Sequence, residues 1–455
     1  MAMGKSRNQS QENLWVDTSS LRNTPGHPFY QKLNNILTKH GFDKFASERC
    51  AKYYAPVMGR PSIPPGAYFR MLLVGYFEGL DSERGIAWRV ADSLGLRRFL
   101  GYALHESTPD HSSVSRTRRL MDIETHQEVF DWILTVLAKE GLLKGKTIGV
   151  DATTLEANAA LRSIVRRDTG ESYEEFLTGL AKASGIETPT RQDLAKLDRE
   201  RKKKTSNKEW EHPHDPDAAV AKMKDGRTHM AHKAEHAVDM ETDAIVAVTL
   251  PGADEGDTDT LPWTLLQAEQ NMESVSQDEE AKENLSEEPL SETVTDKGYH
   301  SNDTLVYLED GSIRSYVSEP DRGRRRWKGK ERERQAVYAN RRRIRGRRGK
   351  ALMRKRGEFL ERSFAHVYDT GGMRRLHLRG RGNILKRLLV HVGGFNLGLV
   401  MRRLFGRGTP RGLAGLRVCI FDSLSSLWKL LGGCFRPACA FSGVQHQESA
   451  LRPVA

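Results

Sequence analysis

The sequence predicts an α/β domain built on a mixed sheet and preceded by an all-helical region. Three observations carry this. Apolar residues recur at helical spacing from Pro28 to about Lys144, the period changes at Gly145 to β-branched alternation, and strand and helix signals then follow one another to about Thr370. A chain of 455 residues with 38% hydrophobic and 29% charged residues has material for about two to four domains with ordinary cores.

Taken in order, residues 1–20 are polar and expected to be disordered. MAMGKSRNQSQENLW lacks an apolar stretch, so no secretory signal is expected. Pro64 and Pro65 open the helix GAYFRMLLVGYFEGL, as proline does at a helix start. Asp81 or Ser82 is placed to cap ERGIAWRVADSLGL, and Ser112 or Ser113 to cap a short basic helix within STPDHSSVSRTRRLM. Glu124 to Leu143 forms another amphipathic helix. Short helices, small turns and a basic helix carrying Arg116, Arg118 and Arg119 fit a helix-turn-helix-like DNA module; a bundle with an exposed basic face fits equally.

Beyond Gly145, KTIGVDATTLEA reads as a strand ending near Asp151, and residues 160–228 as a charged, mobile insertion with helices. KAEHAVDM, a tight turn at Glu241–Thr242–Asp243 and AIVAVTL form a hairpin. A helix from Asp257 to Met272 follows, then ETVTDKGY as a short strand ending at Asp296. Ser301 caps a helix through Asp310, SIRSYVSE is one more strand, and Lys350 to about Thr370 is helical. The expected sheet is mixed and five-stranded. The boundaries expected are a helical region at 21–144, an α/β domain at 145–390 and a C-terminal helical region at 391–455, whose LRVCIFDSLSSLWKLLGGCF should pack on the α/β domain. Residues 270–292 are acidic and expected to be a solvated surface stretch.

Charge is distributed unevenly. The net charge is +12, and residues 321–350 alone carry fifteen Lys and Arg against three acids, which accounts for the whole excess. Such a run is either a solvated arm or a phosphate-binding segment. The dominance of Arg (Arg324, Arg325, Arg326, Arg341, Arg342 and Arg343 among them), interleaved with Trp327 and Tyr338, favours the second, because guanidinium forks suit phosphate and aromatics stack on bases. No apolar run reaches the ~18–20 uncharged residues of a membrane span, so no membrane partner is expected. Cys50, Cys419, Cys434 and Cys439 are too scattered for a disulfide framework or zinc ribbon, which suggests a reducing, cytoplasmic setting. His229, His232 and His236, with His212 and His214 upstream, lack a cysteine partner and carry no zinc expectation.

The chemistry rests on carboxylates. Asp151 and Asp296 each end a predicted strand, where α/β folds gather catalytic groups. Either alone reads better as a turn residue; the case rests on the pair with a third acid. In KALMRKRGEFLERSFAHVYDT, Met353, Gly357, Leu360, Phe364 and Val367 share one helical stripe. At about 100° per residue, Glu361 lies about 80° from its centre and Glu358 about 140°, so Glu361 borders the buried face and Glu358 points to solvent. Three converging carboxylates hold two divalent ions, and hard oxygen ligands suit Mg²⁺ or Mn²⁺.

At this point the sequence resembles the DDE transposases of bacterial insertion sequences. The resemblance runs from about Asn13 to Arg403 and rests on SIPPGAYFRMLL, STPDHSSVSRTRR, GVDATTLEANAA around Asp151, VTDKGYHS around Asp296, ERSFAHVYDTGGMRR and LVHVGGFNLGLVMRR, in that order. It implies an RNase H-like catalytic domain, an acidic triad at Asp151, Asp296 and Glu361 holding two Mg²⁺ or Mn²⁺ ions, and a helical region that helps recognise element ends. It also implies strand cleavage by activated water, attack of the freed 3′-hydroxyl on target DNA, partners in terminal inverted repeats and target DNA, and self-association in a synaptic complex. Lys297 and Tyr299 match the motif, with Tyr299 beside the terminal nucleotide. The sequence departs from the pattern around Glu361: Arg354 or Arg356 stands for the preceding basic residue, Tyr368 stands where many relatives have Lys, and Arg374 and Arg375 are the nearest substitutes, with Arg362 next to the acid. The rivals are a catalytically silent or domesticated DNA-binding protein and a metal-dependent nuclease without strand transfer.

Overall fold

A computed structural model describes residues 27–55, 62–201, 206–223, 226–321, 323 and 325–412. The expectations for residues 1–20, for Arg324 and for the segment containing Cys419, Cys434 and Cys439 lie outside the described residues.

The first half is helical, as its spacing predicts: α1 (Pro28–Lys39), α2 (Phe42–Cys50), α3 (Pro65–Glu78), α4 (Glu83–Ala91), α5 (Leu94–Leu100), α6 (His111–Leu120) and α7 (Ile123–Lys139). Local chemistry sets the breaks. Pro65 opens α3, and Ser82 caps α4 by accepting from the Gly85 amide at 3.2 Å. Ser93 caps α5, splitting the helix that the sequence joins. Asp110 rather than Ser112 or Ser113 caps α6, accepting from Ser113 N at 2.8 Å. α3 is the axis of this region, buried from Gly66 to Phe77.

The sheet begins with β1 (Thr147–Glu156). After β2 (Val165–Arg166), α8 (Tyr173–Ala183), α9 (Arg191–Glu200), β3 (Trp210–Glu211) and β4 (Ala219–Lys222) come β5 (Thr228–Asp239) and β6 (Ile245–Thr249), the expected hairpin. α10 (Asp257–Ser276), α11 (Glu279–Lys282), β7 (Glu292–Thr295), α12 (Asn302–Asp310), β8 (Arg314–Val317), α13 (Glu331–Arg345), α14 (Arg347–Phe364) and α15 (Arg381–Phe405) complete the chain. The order β4-β5-β1-β7-β8, with β6 also on β5, makes a six-stranded mixed sheet. β5 is antiparallel to β1, and β7 and β8 run parallel to it. The sixth strand is β4, from within the insertion. β1 does not end at Asp151 as expected, because β5 is long enough to pair with it from Ile148 to Glu156.

The segment 160–228 is not a loose insertion in its described part. Trp210 is buried with Ile164 and Met230, and Tyr173 and Phe176 meet its ring edge-on at 5.2 Å, which gives it a small core of its own. It is also tied to α15. Asp215 accepts from Gly380 N and Asp217 from Arg381 N, both at 3.0 Å, so two carboxylates sit on that helix's amino end. The acidic stretch continues α10 and forms α11, held by Lys139 to Asp278 at 2.8 Å.

α15 is long and apolar enough to cross a membrane by length and composition, and 89% of its apolar window is buried inside the fold. It packs on α3, α7 and β6, so the helical region and the sheet share it as a common core element.

Candidate active site

Gly149 of β1 pairs with Val294 of β7, the last rung of that parallel ladder. Two residues further along each strand stand Asp151 and Asp296, side by side where the two strands part. Asp151 Oδ2 accepts from Arg356 Nη1 of α14 at 2.8 Å, and its Oδ1 from Ala152 N at 2.8 Å. Burial pushes the Asp151 carboxyl above the usual carboxylate range, and the Asp296 charge adds to this; Arg356 and the Ala152 amide oppose it. Asp296 caps the turn Lys297–Tyr299, its Oδ1 accepting from Gly298 N at 2.8 Å.

That turn is crowded on its other side. A Cβ at Gly298 would lie 2.6 Å from Asp257 Oδ2 and 3.0 Å from Asp296 Oδ1, so a larger residue here would push the Asp257 carboxylate aside. Asp257 opens α10 and pairs with the buried Lys233 of β5 at 2.6 Å. Beside it, fully buried Glu235 accepts from Tyr299 OH at 2.6 Å, from Thr260 Oγ1 at 3.0 Å and from Thr264 Oγ1. Burial followed by the Glu235 charge holds the Tyr299 hydroxyl protonated. Tyr299 is thus a buried support of the Asp296 turn with no accessible ring face, unlike the nucleotide-facing role the resemblance implies. Lys297 is exposed at the same turn. Sequence reasoning missed Lys233, Glu235 and Asp257. The signal was there: KAEHAVDM puts Lys and Glu on the alternate positions of a strand covered on both faces, and a charge in such a place has a partner.

α14 lies across the Asp151 face of β1. Leu360 is in contact range of Gly149, and Arg356, Leu360 and Ser363 form the side turned to the sheet. Ser363 Oγ meets His236 Nδ1 at 3.1 Å, and Tyr368 OH meets His236 Nε2 at 2.6 Å. Tyr368, standing where a phosphate-binding Lys was sought, is therefore a core residue. Glu361 is exposed on α14, about 140° around the helix from Arg356. The structure brings Asp151 and Asp296 together and leaves Glu361 on the helix flank; Glu358 is also exposed and pairs with Arg362 at 2.5 Å.

The basic candidates divide into tied and free. Residues 331–345 are helix α13, not an arm. Arg341 grips Glu319 with both arms of its fork at 2.6 and 2.7 Å, Arg325 bonds Asn302 and Glu319, and Arg343 bonds Ser315 O and Oγ at 2.8 and 2.7 Å. Arg325 also lies over Trp327 at 4.6 Å and Arg341 over Tyr338 at 5.0 Å, so those rings are partly engaged by their own chain. Arg326 and Arg342 are exposed. Arg362 spans Asp243 and Glu358. Arg374 bonds Asp369 and reaches Thr153 Oγ1 at 3.0 Å, two residues beyond Asp151 on the same face, and Arg375 is exposed beside Glu156. In α6, Arg116 and Arg119 are exposed, whereas Arg118 is 6% exposed and bonded to Glu83 at 2.7 Å, holding α6 to α4.

Asp151 and Asp296 are hard oxygen donors of the kind Mg²⁺ or Mn²⁺ takes, and Mg²⁺ is commonly held by one or two carboxylates with water and substrate phosphate completing its shell. The pair fits one such ion. No group of three or more His, Cys, Asp or Glu residues placed to hold a metal ion occurs among the described residues. The histidines diverge: His232 bonds Asp215 at 3.0 Å, His236 is in the core, and His229 lies 4.0 Å from Glu156.

Residues 18–120 match the family model of a transposase domain (DUF772). The match ends with α6. No curated protein sequence matches the chain. Over these residues the chain resembles a transposase domain.

Proposed function

We propose that this protein is a DNA transposase of the DDE kind, cutting element ends and joining them to target DNA with Asp151 and Asp296 at its catalytic centre. The observation that carries the reading is the placement of these two aspartates, distant in sequence, at adjacent positions where two parallel strands part. The mixed sheet with helices on both faces supports an RNase H-like domain, and the transposase-domain match supports the helical region as the part that recognises element ends. Bound divalent metal, expected as two ions, would activate the attacking oxygen and stabilise the leaving one. Asp151 lies within β1 and Asp296 just beyond β7, and Lys233, Glu235 and Tyr299 fix the turn that carries Asp296. Arg374 and exposed Arg326, Arg342 and Arg375 supply cations for phosphate. Glu361 is the third acid of this reading. A synaptic dimer or larger assembly belongs to the same proposal.

The test is strand cleavage and excision on an element-end substrate with Mg²⁺. Asp151→Asn and Asp296→Asn should each lower cleavage by about a thousandfold or more, the loss of several kcal/mol of charge stabilisation. Full activity in either variant overturns the reading. Glu361→Gln with full activity removes Glu361 from the triad and turns attention to Glu358 and Asp257. The second reading is a catalytically silent DNA-binding protein, favoured by the exposed Glu361 away from the pair; it requires DNA binding with no cleavage in the unaltered chain. A nuclease without strand transfer would cut in the same assay and fail to join.

A further inference from the structure

Arg356 makes one hydrogen bond to Asp151 Oδ2, at 2.8 Å, through Nη1, and its Nε is buried with no hydrogen-bond partner among the described residues. Arg341 on Glu319, by contrast, engages its carboxylate with two bonds. The Arg356–Asp151 pair is 17% and 27% exposed on its two side chains, so the pair is reachable from solvent. The charge of Asp296 opposes ionisation of Asp151, and that of Arg356 favours it.

We propose that Arg356 is a latch on the metal site: it occupies Asp151 in the DNA-free protein, weakens divalent-ion binding there, and releases Asp151 when a DNA phosphate takes its guanidinium. The inference rests on the carboxylate pair being a metal site. Phosphate is the natural second acceptor, because a guanidinium fork matches its oxygens. Metal and DNA then bind cooperatively, each gaining from the other by the same factor. The centre is loaded only on its substrate.

Binding of Mn²⁺ to the full chain, read from the electron paramagnetic signal of the free ion, tests this without any turnover. In DNA-free protein Arg356→Gln should tighten Mn²⁺ binding by about tenfold, within the usual range of coupling between sites, and Arg356→Lys should leave it weak. A short duplex of arbitrary sequence at low salt should tighten Mn²⁺ binding to the unaltered protein and have little effect on Arg356→Gln. Asp151→Asn should abolish the site in every background. Unchanged or weaker Mn²⁺ binding by Arg356→Gln, with the Asp151-dependent site still present, overturns the latch and leaves the carboxylate site standing. Absence of any Asp151-dependent Mn²⁺ binding overturns both.

Discussion

His126 in α7 has its two ring nitrogens committed in opposite senses. Nδ1 lies 2.8 Å from the Asp122 carbonyl and so carries the proton, which leaves Nε2 to accept from Tyr68 OH at 3.1 Å. A second proton has no acceptor there, and burial lowers the His126 pKa to about 4. The unfolded chain takes up that proton below about pH 6.5 while the folded one does not, so stability is full above that value, falls as pH drops and levels off near pH 4. The thermal midpoint should therefore drop between about pH 7 and pH 5, by up to about 1.4 kcal/mol of stability per pH unit from this group. His126→Gln should be less stable at neutral pH and show a shallower pH slope; parallel slopes would show that His126 does not set this dependence. At the same scale, some of the candidate site was legible and some was not. Asp151 and Asp296 could be read because each follows a short β-branched run. Glu361 was placed from an apolar stripe that counted Gly357 and Met353 as core. α14 instead turns Arg356 and Ser363 to the sheet, because Asp151 and His236 receive them, and apolar spacing is blind to burial purchased by hydrogen bonds.

Two edge strands, β8 and β6, each meet a side chain that imitates a strand at one residue. Asn340 of α13 accepts from Val317 N at 3.0 Å and donates to Val317 O at 2.8 Å on edge strand β8. Asn396 of α15 does the same to Ile245 of β6, at 3.0 and 2.8 Å. An open edge invites pairing with another chain, and these amides cover one residue of each of the two strands while anchoring two helices. The consequence for α13 is that its basic run does two jobs. Deleting 321–350 would strip the cap from β8 as well as the cations, so point substitutions separate the roles. Asn340→Ala should cost about 1–3 kcal/mol, since it orphans buried Val317 groups, and denaturant unfolding measures it. Arg341→Ala and Arg343→Ala should also lose stability. Arg342→Ala should leave the melting midpoint unchanged and reduce the salt dependence of DNA binding by about 0.9 in log K against log salt, one phosphate contact. An unchanged salt slope in Arg342→Ala assigns that side chain to solvent. The sequence supported either a mobile arm or a phosphate-binding segment here. Its alanine, valine and asparagine at 336, 337 and 340, all buried on one face, were the sign of a packed helix within the charge run.

At the scale of the molecule, the boundary expected at residue 390 falls inside α15, and the reason is visible in the company that helix keeps. Its glycines and short side chains let it pass between α3 and α7 on one side and β6 on the other, with seventeen of its residues buried. Lys386 donates to the carbonyls of Arg118 and Met121 at 3.2 and 2.6 Å, and Arg387 to Leu80 O at 3.0 Å, so two buried cations rest on the carboxyl ends of α6 and α3. Burial lowers the Arg387 pKa to about 10, which still leaves it charged at neutral pH. A periodicity argument reads LVHVGGFNLGLVMRR as a helix and has no means of telling that its neighbours come from both halves of the chain. The physical consequence is cooperativity: the helical region cannot bury α3 and α7 without α15, and the sheet cannot close its β6 edge without Asn396 from the same helix. Calorimetric unfolding of the full chain should accordingly show the helical region and the sheet melting in one transition, with calorimetric and van't Hoff enthalpies that agree. Asn396→Ala should lower that transition as a whole, not split it. Two resolved transitions, one unmoved by Asn396→Ala, would mean that the helical region folds on its own and that α15 only rests against it.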